Sequence, residues 1–401
     1  MKFLFVTVAC VLLSLAAAEV LYSEDFSDDW ESRWTKSEFK HDYSTGSWKH
    51  SAGKYSGDAN NKGIQTAGDD HRFYGISAPI GKSINNKGKT FVLQFSVKNE
   101  QVVDCGGGYI KVLPSAGFDA KQFGGKTDYS IMFGPDICGS ATRRVHTIFT
   151  YKGVNHLIKR EIRPETDQLT HVYTLIVKPD NTYSVKIDDK EVQKGTLHED
   201  WDMLKPKTIK DPSAKKPEDW DENEKIDDPA DTKPEGWDDI PKEIADPKAT
   251  KPEDWNTEDD GEWSAPMISN PEYKGEWKAK RIPNPAYKGI WVAPDIPNPD
   301  FVDDVELYNV VKDVAHVGFE IQQGKAGTVF DNILIADSEE DASAAFAKIK
   351  PLMDAEKKAK EDADAEERKK AEDARKAAEE EKKNEKADKE DDDEDEKKAE
   401  L

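Results

Sequence analysis

Residues 91–98 read Phe91-Val92-Leu93-Gln94-Phe95-Ser96-Val97-Lys98. Phe91, Leu93, Phe95 and Val97 take every second position, so an extended chain carries them on one face and the mainly polar remainder on the other. Tyr173, Leu175 and Val177 repeat the alternation. A turn signal, Pro179-Asp180-Asn181, follows, and Tyr183, Val185 and Ile187 resume the pattern. Gly-rich breaks recur between such runs, and helical runs between them are absent. Residues 19–204 therefore predict an antiparallel β-sandwich rather than a parallel α/β sheet. Gly318-Phe319-Glu320-Ile321 and Thr328-Val329-Phe330-Asp331-Asn332-Ile333-Leu334-Ile335 are again strand-like. Residues 302–353 thus complete the sandwich and begin a helix, with Ser338 and Asp341 as a weak capping box ahead of Ala344, Phe346 and Ile349. What lies between is an insertion.

That insertion, residues 205–301, holds 15 of the 21 prolines and six of the ten tryptophans. It is repetitive. Ile209-Lys210-Asp211-Pro212 leads to Lys216-Pro217-Glu218-Asp219-Trp220, and the pattern returns from Ile226 to Trp237 and from Ile244 to Trp255. A second type follows: Gly261-Glu262-Trp263, Gly275-Glu276-Trp277 and Gly289-Ile290-Trp291, trailed by Asn270-Pro271, Asn284-Pro285 and Asn298-Pro299. One such repeat cannot bury its tryptophan alone. The pattern predicts a long hairpin, three repeats out and three back, turning near Asp259-Asp260-Gly261. A disordered proline-rich linker is the alternative.

The 401 residues carry a net charge of −24, and only 36% are hydrophobic. Acidity of this size repels phosphate, which argues against a nucleic-acid partner and for cations, chiefly Ca²⁺, or basic partners. Residues 354–401 are almost wholly Ala, Glu, Lys and Asp and predict a solvated helix or a disordered acidic tail. Its unbroken acidic block is Glu390 to Glu396. No stretch after residue 20 is apolar enough for a membrane span. Residues 1–18 have a positive start, an apolar run and Ala16-Ala17-Ala18, which describe a secretory signal cleaved after Ala18. Cys10 would leave with it. Cys105 and Cys138 would remain in an oxidising compartment and are expected to pair, the alternative being two free thiols. The terminal Lys398-Ala399-Glu400-Leu401 is similar to the Lys-Asp-Glu-Leu address of the endoplasmic reticulum lumen. Ala399 departs from it, which leaves escape to the cell surface open.

The two repeat types in this order resemble the calreticulin/calnexin family. So do Lys98-Asn99-Glu100-Gln101-Val102-Val103-Asp104-Cys105-Gly106-Gly107-Gly108-Tyr109-Ile110-Lys111 and Ile131-Met132-Phe133-Gly134-Pro135-Asp136-Ile137-Cys138-Gly139. Three plus three repeats without a span fit its soluble branch. The resemblance implies a legume-lectin-like (concanavalin-like) sandwich that binds monoglucosylated high-mannose N-glycans on nascent glycoproteins. It places Tyr109, Lys111, Tyr129, Met132, Asp136 and Glu320 in the sugar pocket. Sugars are held by aromatic faces and fixed polar groups, and Tyr109 and Lys111, two apart, share a strand face. Two departures stand out: Glu320 replaces the family's Asp, and Gln322 its nearby Trp. The expected result is lectin activity retained but altered.

The resemblance also implies a structural Ca²⁺ site at Asp25, Asn60, Lys62 and Asp331, with Lys62 acting through its carbonyl. At the hairpin tip it implies a docking site for a protein disulfide isomerase-type oxidoreductase, carried by Glu258, Asp260, Glu262 and Trp263. Without the resemblance, core packing would explain most of these residues. A calcium-storage protein or a secreted surface adhesion protein without chaperone activity are the competing readings. An enzyme is not expected. Close E-x-D-x-x-E carboxylates are missing, His146 lies in a strand-like run without a Ser or Cys partner, and the eight histidines form no metal spacing.

Overall fold

A computed structural model describes residues 19–27, 29–39 and 44–399, with side chains to residue 380. The expected signal segment, with Cys10, and the last two residues of the retrieval-like end lie outside the described residues.

The chain divides into two compact units. One comprises the described residues up to Lys205 and those from Phe301 onward, the other Pro206–Asp300. The first unit is the expected antiparallel sandwich. One sheet runs Lys190–Thr196, Thr182–Ile187, Thr170–Val177, Phe91–Asn99, Thr328–Ala336, Gly63–Ala67, Ser47–Ser51, with Val20–Glu24 added against Thr328–Ala336. The second runs Val154–Leu157, Thr142–Tyr151, Ile131–Cys138, then Val314–Gln323, Arg72–Ile84 and Thr35–Lys36. The short strands Cys105–Gly107 and Ile110–Pro114 bridge its centre.

The alternation that predicts the strands also builds the core. Phe91, Leu93, Phe95 and Val97 are buried beside Tyr173, Leu175, Val185, Phe133, Phe319 and Phe330. Phe319 and Phe330 come from the two sheets and pack as a tilted pair with centroids 4.2 Å apart, so strands from beyond the insertion close the core. The other face of Phe91–Asn99 is covered as well. The C-terminal helix, Glu339–Ala399, lays Ala342 against Val92 and Ile176, and Phe346 and Ile349 against Val172. Ser338 caps it, accepting from Asp341 N at 3.3 Å. The helix continues through the charged tail segment to Ala399.

The second unit is a hairpin whose rungs match one to one. Ile209 pairs with Ile296, Ile226 with Ile282 and Ile244 with Ile268. Trp220, Trp237 and Trp255 each donate an indole N–H to the carbonyl of Gly289, Gly275 and Gly261, at 2.8, 2.9 and 3.0 Å. Each Asn-Pro asparagine reaches across too: Asn270, Asn284 and Asn298 donate their side-chain amides to the carbonyls of Pro241, Asn223 and Pro206, all at 2.8 Å. Side-chain amides and indoles therefore do the cross-strand bonding that proline denies to the backbone. The chain turns through Thr257–Asp260 and Gly261, whose φ of 77° suits glycine.

Candidate functional site

The second sheet has an inner face of Ile110, Val112, Ile131, Phe133, Phe319 and Ile321, all buried in the core. Alternation then puts Lys111, Met132, Asp136, Glu320 and Gln322 on its outer face. Register brings them together. Lys111 stands opposite Met132 on one side and Gly318 on the other, and Asp136 stands opposite Gly107. The Cys105–Cys138 disulfide forms within that same pairing.

Lys111 and Glu320 make an ion pair, Nζ to Oε2, at 2.5 Å. Both are buried despite lying on the outer face, because residues 115–130 fold over them. Phe123, itself buried, and Tyr129 present their rings to the ammonium at 5.9 and 5.0 Å. Glycines make room for this. A Cβ on Gly318 would lie 2.8 Å from the Phe123 ring, and one on Gly107 would lie 2.4 Å from the ring of Tyr109. Burial, and then the negative charge of Glu320 and Asp136, push the Tyr109 hydroxyl well above its ordinary range, so it stays a neutral donor. Burial and Glu320 raise Tyr129 in the same direction.

The fold therefore gathers Tyr109, Lys111, Tyr129 and Glu320 at one place, with Met132 and Asp136 on the adjoining strand. It adds a residue that the sequence alone does not place at this site. His146 Nε2 lies 3.0 Å from Asp136 Oδ2, and its ring meets Tyr109 edge-on at 5.7 Å. The signal was present: His146 lies on the outer-facing alternation of Thr142–Tyr151, but only the strand register, His146 opposite Gly134, shows what it faces. Gln322 is exposed, opposite Phe73. Aromatic rings beside a fixed cation–carboxylate pair and a histidine–carboxylate pair are groups suited to a polyhydroxylated ligand.

Asp25, Asn60, Lys62 and Asp331 belong to a second locality. Ile64 pairs with Phe330, which sets Gly63 against Asp331 so closely that a Cβ there would lie 2.9 Å from Asp331 Cβ. Asp331 is buried, and its carboxyl is pushed up to about 7, first by burial and then by the charges of Asp25 and Glu24. It accepts from Asn332 N at 2.7 Å and from the Asn61 amide at 3.4 Å. Among the described residues no basic side chain pairs with it. A buried carboxylate raised by neighbouring acids is in the state that a bound cation relieves. Among the described residues no group of three His, Cys, Asp or Glu side chains is placed to hold a metal ion by itself. Such a cation would have to draw on carbonyl and amide oxygens from residues 60–62, a donor set suited to Ca²⁺.

At the arm tip, Glu258 and Asp260 lie in the turn Thr257–Asp260 and are exposed, as is Glu262. Trp263 is half-buried, as are the arm's other five tryptophans.

The chain is similar to known proteins over most of its length. A model of the calreticulin family matches residues 22–260 and 256–335. A calreticulin of Chlamydomonas reinhardtii is 64% identical over 345 residues, 85% of this chain and 82% of the relative. One of Dictyostelium discoideum is 54% identical over 364 residues, 89% of this chain and 85% of the relative. The solved globular domain of T. cruzi calreticulin superimposes with a TM-score of 0.59 at 32% identity, covering 86% of this chain and 97% of that one.

Proposed function

This chain belongs to the calreticulin family, and we propose that, within that family's calcium-binding lectin-chaperone role, it binds monoglucosylated high-mannose N-glycans on nascent glycoproteins in the endoplasmic reticulum lumen. The observation that carries the reading is the buried Lys111–Glu320 pair flanked by Tyr109 and Tyr129. In this reading Lys111 and the Tyr109 hydroxyl donate to sugar hydroxyls, Glu320 and Asp136 accept from them, and Tyr129 and Met132 supply apolar contact. Glu320 reaches Lys111 with one oxygen and keeps the other, Oε1, toward Gly125, so a carboxylate one bond longer than the family's still has an acceptor to offer. Gln322, exposed and not aromatic, removes a stacking surface. The glycan site is therefore retained, with weaker apolar grip at its edge.

Ca²⁺ at Asp331, with Asp25 and oxygens from Asn60 and Lys62, supplies positive charge that neutralises a buried carboxylate and ties residues 60–62 to the sheet. The exposed acids Glu258, Asp260 and Glu262 around Trp263 suit a basic face on a protein disulfide isomerase-type oxidoreductase. The whole reading is that of a binding protein, not an enzyme.

A glycan array with the recombinant chain tests the lectin assignment. Signal confined to monoglucosylated high-mannose glycans, and lost in Lys111→Met, is expected. Equal binding to glucosylated and unglucosylated glycans, or none to either, would overturn it.

A further inference from the structure

The charged tail segment is not solvated throughout. Glu356, in the Glu339–Ala399 helix, is 3% exposed. Its Oε1 lies 2.6 Å from Nζ of Lys98, which is 4% exposed, and its Oε2 accepts from Thr170 N at 3.0 Å. Lys98 does more than pair with the helix. Its ammonium also donates to the carbonyl of Lys54, and the N–H of Lys54 donates to Glu100, whose other oxygen accepts from Gln65 at 2.7 Å. Lys54 opens the segment that runs through Gly57 to Asn60, Asn61 and Lys62. One buried lysine thus holds the calcium-site loop with one hydrogen bond and the C-terminal helix with another contact.

The loop and the helix also touch directly. A Cβ on Gly57 would lie 2.7 Å from the Leu352 carbonyl oxygen and 2.9 Å from Ala355. Behind that contact lies a cavity of about 50 Å³, with Asn61 and Asp331 on one wall and Leu352, Met353 and Glu356 on the other. The helix therefore forms the far wall of the space into which the Asp331 locality opens.

We propose that Lys98 and Glu356 are positioning residues for the Ca²⁺ site, so that docking of the C-terminal helix and occupancy at Asp331 reinforce each other. This rests on the calcium reading of Asp331. The docked helix holds residues 54–62 over Asp331, which presents the Asn60 and Lys62 oxygens without an ordering cost at the moment of binding. By reciprocity, a cation that fixes the loop also fixes the Gly57 surface on which Leu352 and Ala355 rest. The tail is then held more firmly when calcium is plentiful and released when it is withdrawn.

Calcium titration calorimetry on the full chain, with Asp331→Ala as reference for the weaker tail sites, tests this together with hydrogen exchange of the helix. Glu356→Gln is expected to weaken the Asp331-dependent site by roughly 5–20-fold, with Glu356→Asp recovering part of the loss. Calcium is expected to slow amide exchange over residues 342–358 in the unmodified chain but not in Asp331→Ala. This second measurement needs no Glu356 variant to fold. If Asp331→Ala titrates like the unmodified chain, the calcium reading itself fails and this inference with it. If Asp331→Ala loses a site while Glu356→Gln keeps full affinity and calcium leaves helix exchange unchanged, the coupling alone is overturned.

Discussion

Replacing Glu320 by Gln tests the central pair most directly. Lys111 is 1% exposed and Glu320 7%, and their charged atoms lie 2.5 Å apart. At an effective dielectric constant of about 20 their gross attraction is about 7 kcal/mol. Desolvating the two ions costs several kcal/mol each, so the pair is nearly neutral in net stability. Removing one partner is a different matter, because the other charge stays buried without compensation. Glu320→Gln and Lys111→Met should each destabilise the sandwich by about 3–5 kcal/mol. The double variant should cost far less than their sum, since it strands no charge. Urea unfolding followed by far-ultraviolet circular dichroism at fixed calcium gives the three numbers. Single losses that add to the double within about 0.5 kcal/mol would show that the two groups do not act as a pair, and the account of why Lys111 lies buried beneath Phe123 and Tyr129 would be wrong.

His171 gives a pH test. Burial by itself would lower its pKa, but hydrogen bonds to Asp167 and Asp188 outweigh that and push it up to about 10. A folded-state value above the unfolded one means the stabilisation is complete below about pH 6.5 and is lost as pH rises through 10. Unfolding free energy should fall by an amount on the order of 4 kcal/mol across that window, and His171→Gln should flatten the slope; an unchanged slope would discard the pairing. Cys105→Ser with Cys138→Ser opens a loop of 33 residues and should cost roughly 3–4 kcal/mol in thermal or urea unfolding. Trp237→Phe removes one indole hydrogen bond in the arm, worth about 1 kcal/mol. Hydrogen exchange should rise in residues 226–245 and 267–282 while that of the sandwich is unchanged.

The sandwich was legible because the strand face that packs into the hydrophobic core leaves its period in the letters, even where the C-terminal helix covers the other face. Phe91 to Val97 and Tyr183 to Ile187 show it plainly. The arm was legible for another reason: its tryptophans and prolines recur at near-regular spacings within each repeat type, and the one-to-one rungs follow from three repeats facing three. The candidate site was less so. Tyr109 and Lys111 declare a shared face, but Glu320 is 209 residues from Lys111, and nothing local joins them. His146 reads as an isolated histidine until strand register puts Asp136 beside it. Phe123 lies in a loop without periodicity, so its place over Lys111 is a tertiary fact. Glu356 was hidden by composition, since one buried glutamate in a run of Ala, Glu and Lys looks like every other glutamate there.

The arm's rungs constrain how its length can change. Each rung joins one outgoing and one returning segment, and the two lie far apart in the chain: Ile226 with Ile282, Ile209 with Ile296. Loss of a single repeat, as when a gene slips by one repeat unit, leaves an odd strand half whose isoleucine and tryptophan face nothing. A shortening that keeps every remaining rung matched, and keeps the acidic tip, must remove two separate stretches at once. Arm length is thus protected against the commonest way in which repetitive sequences shrink and grow.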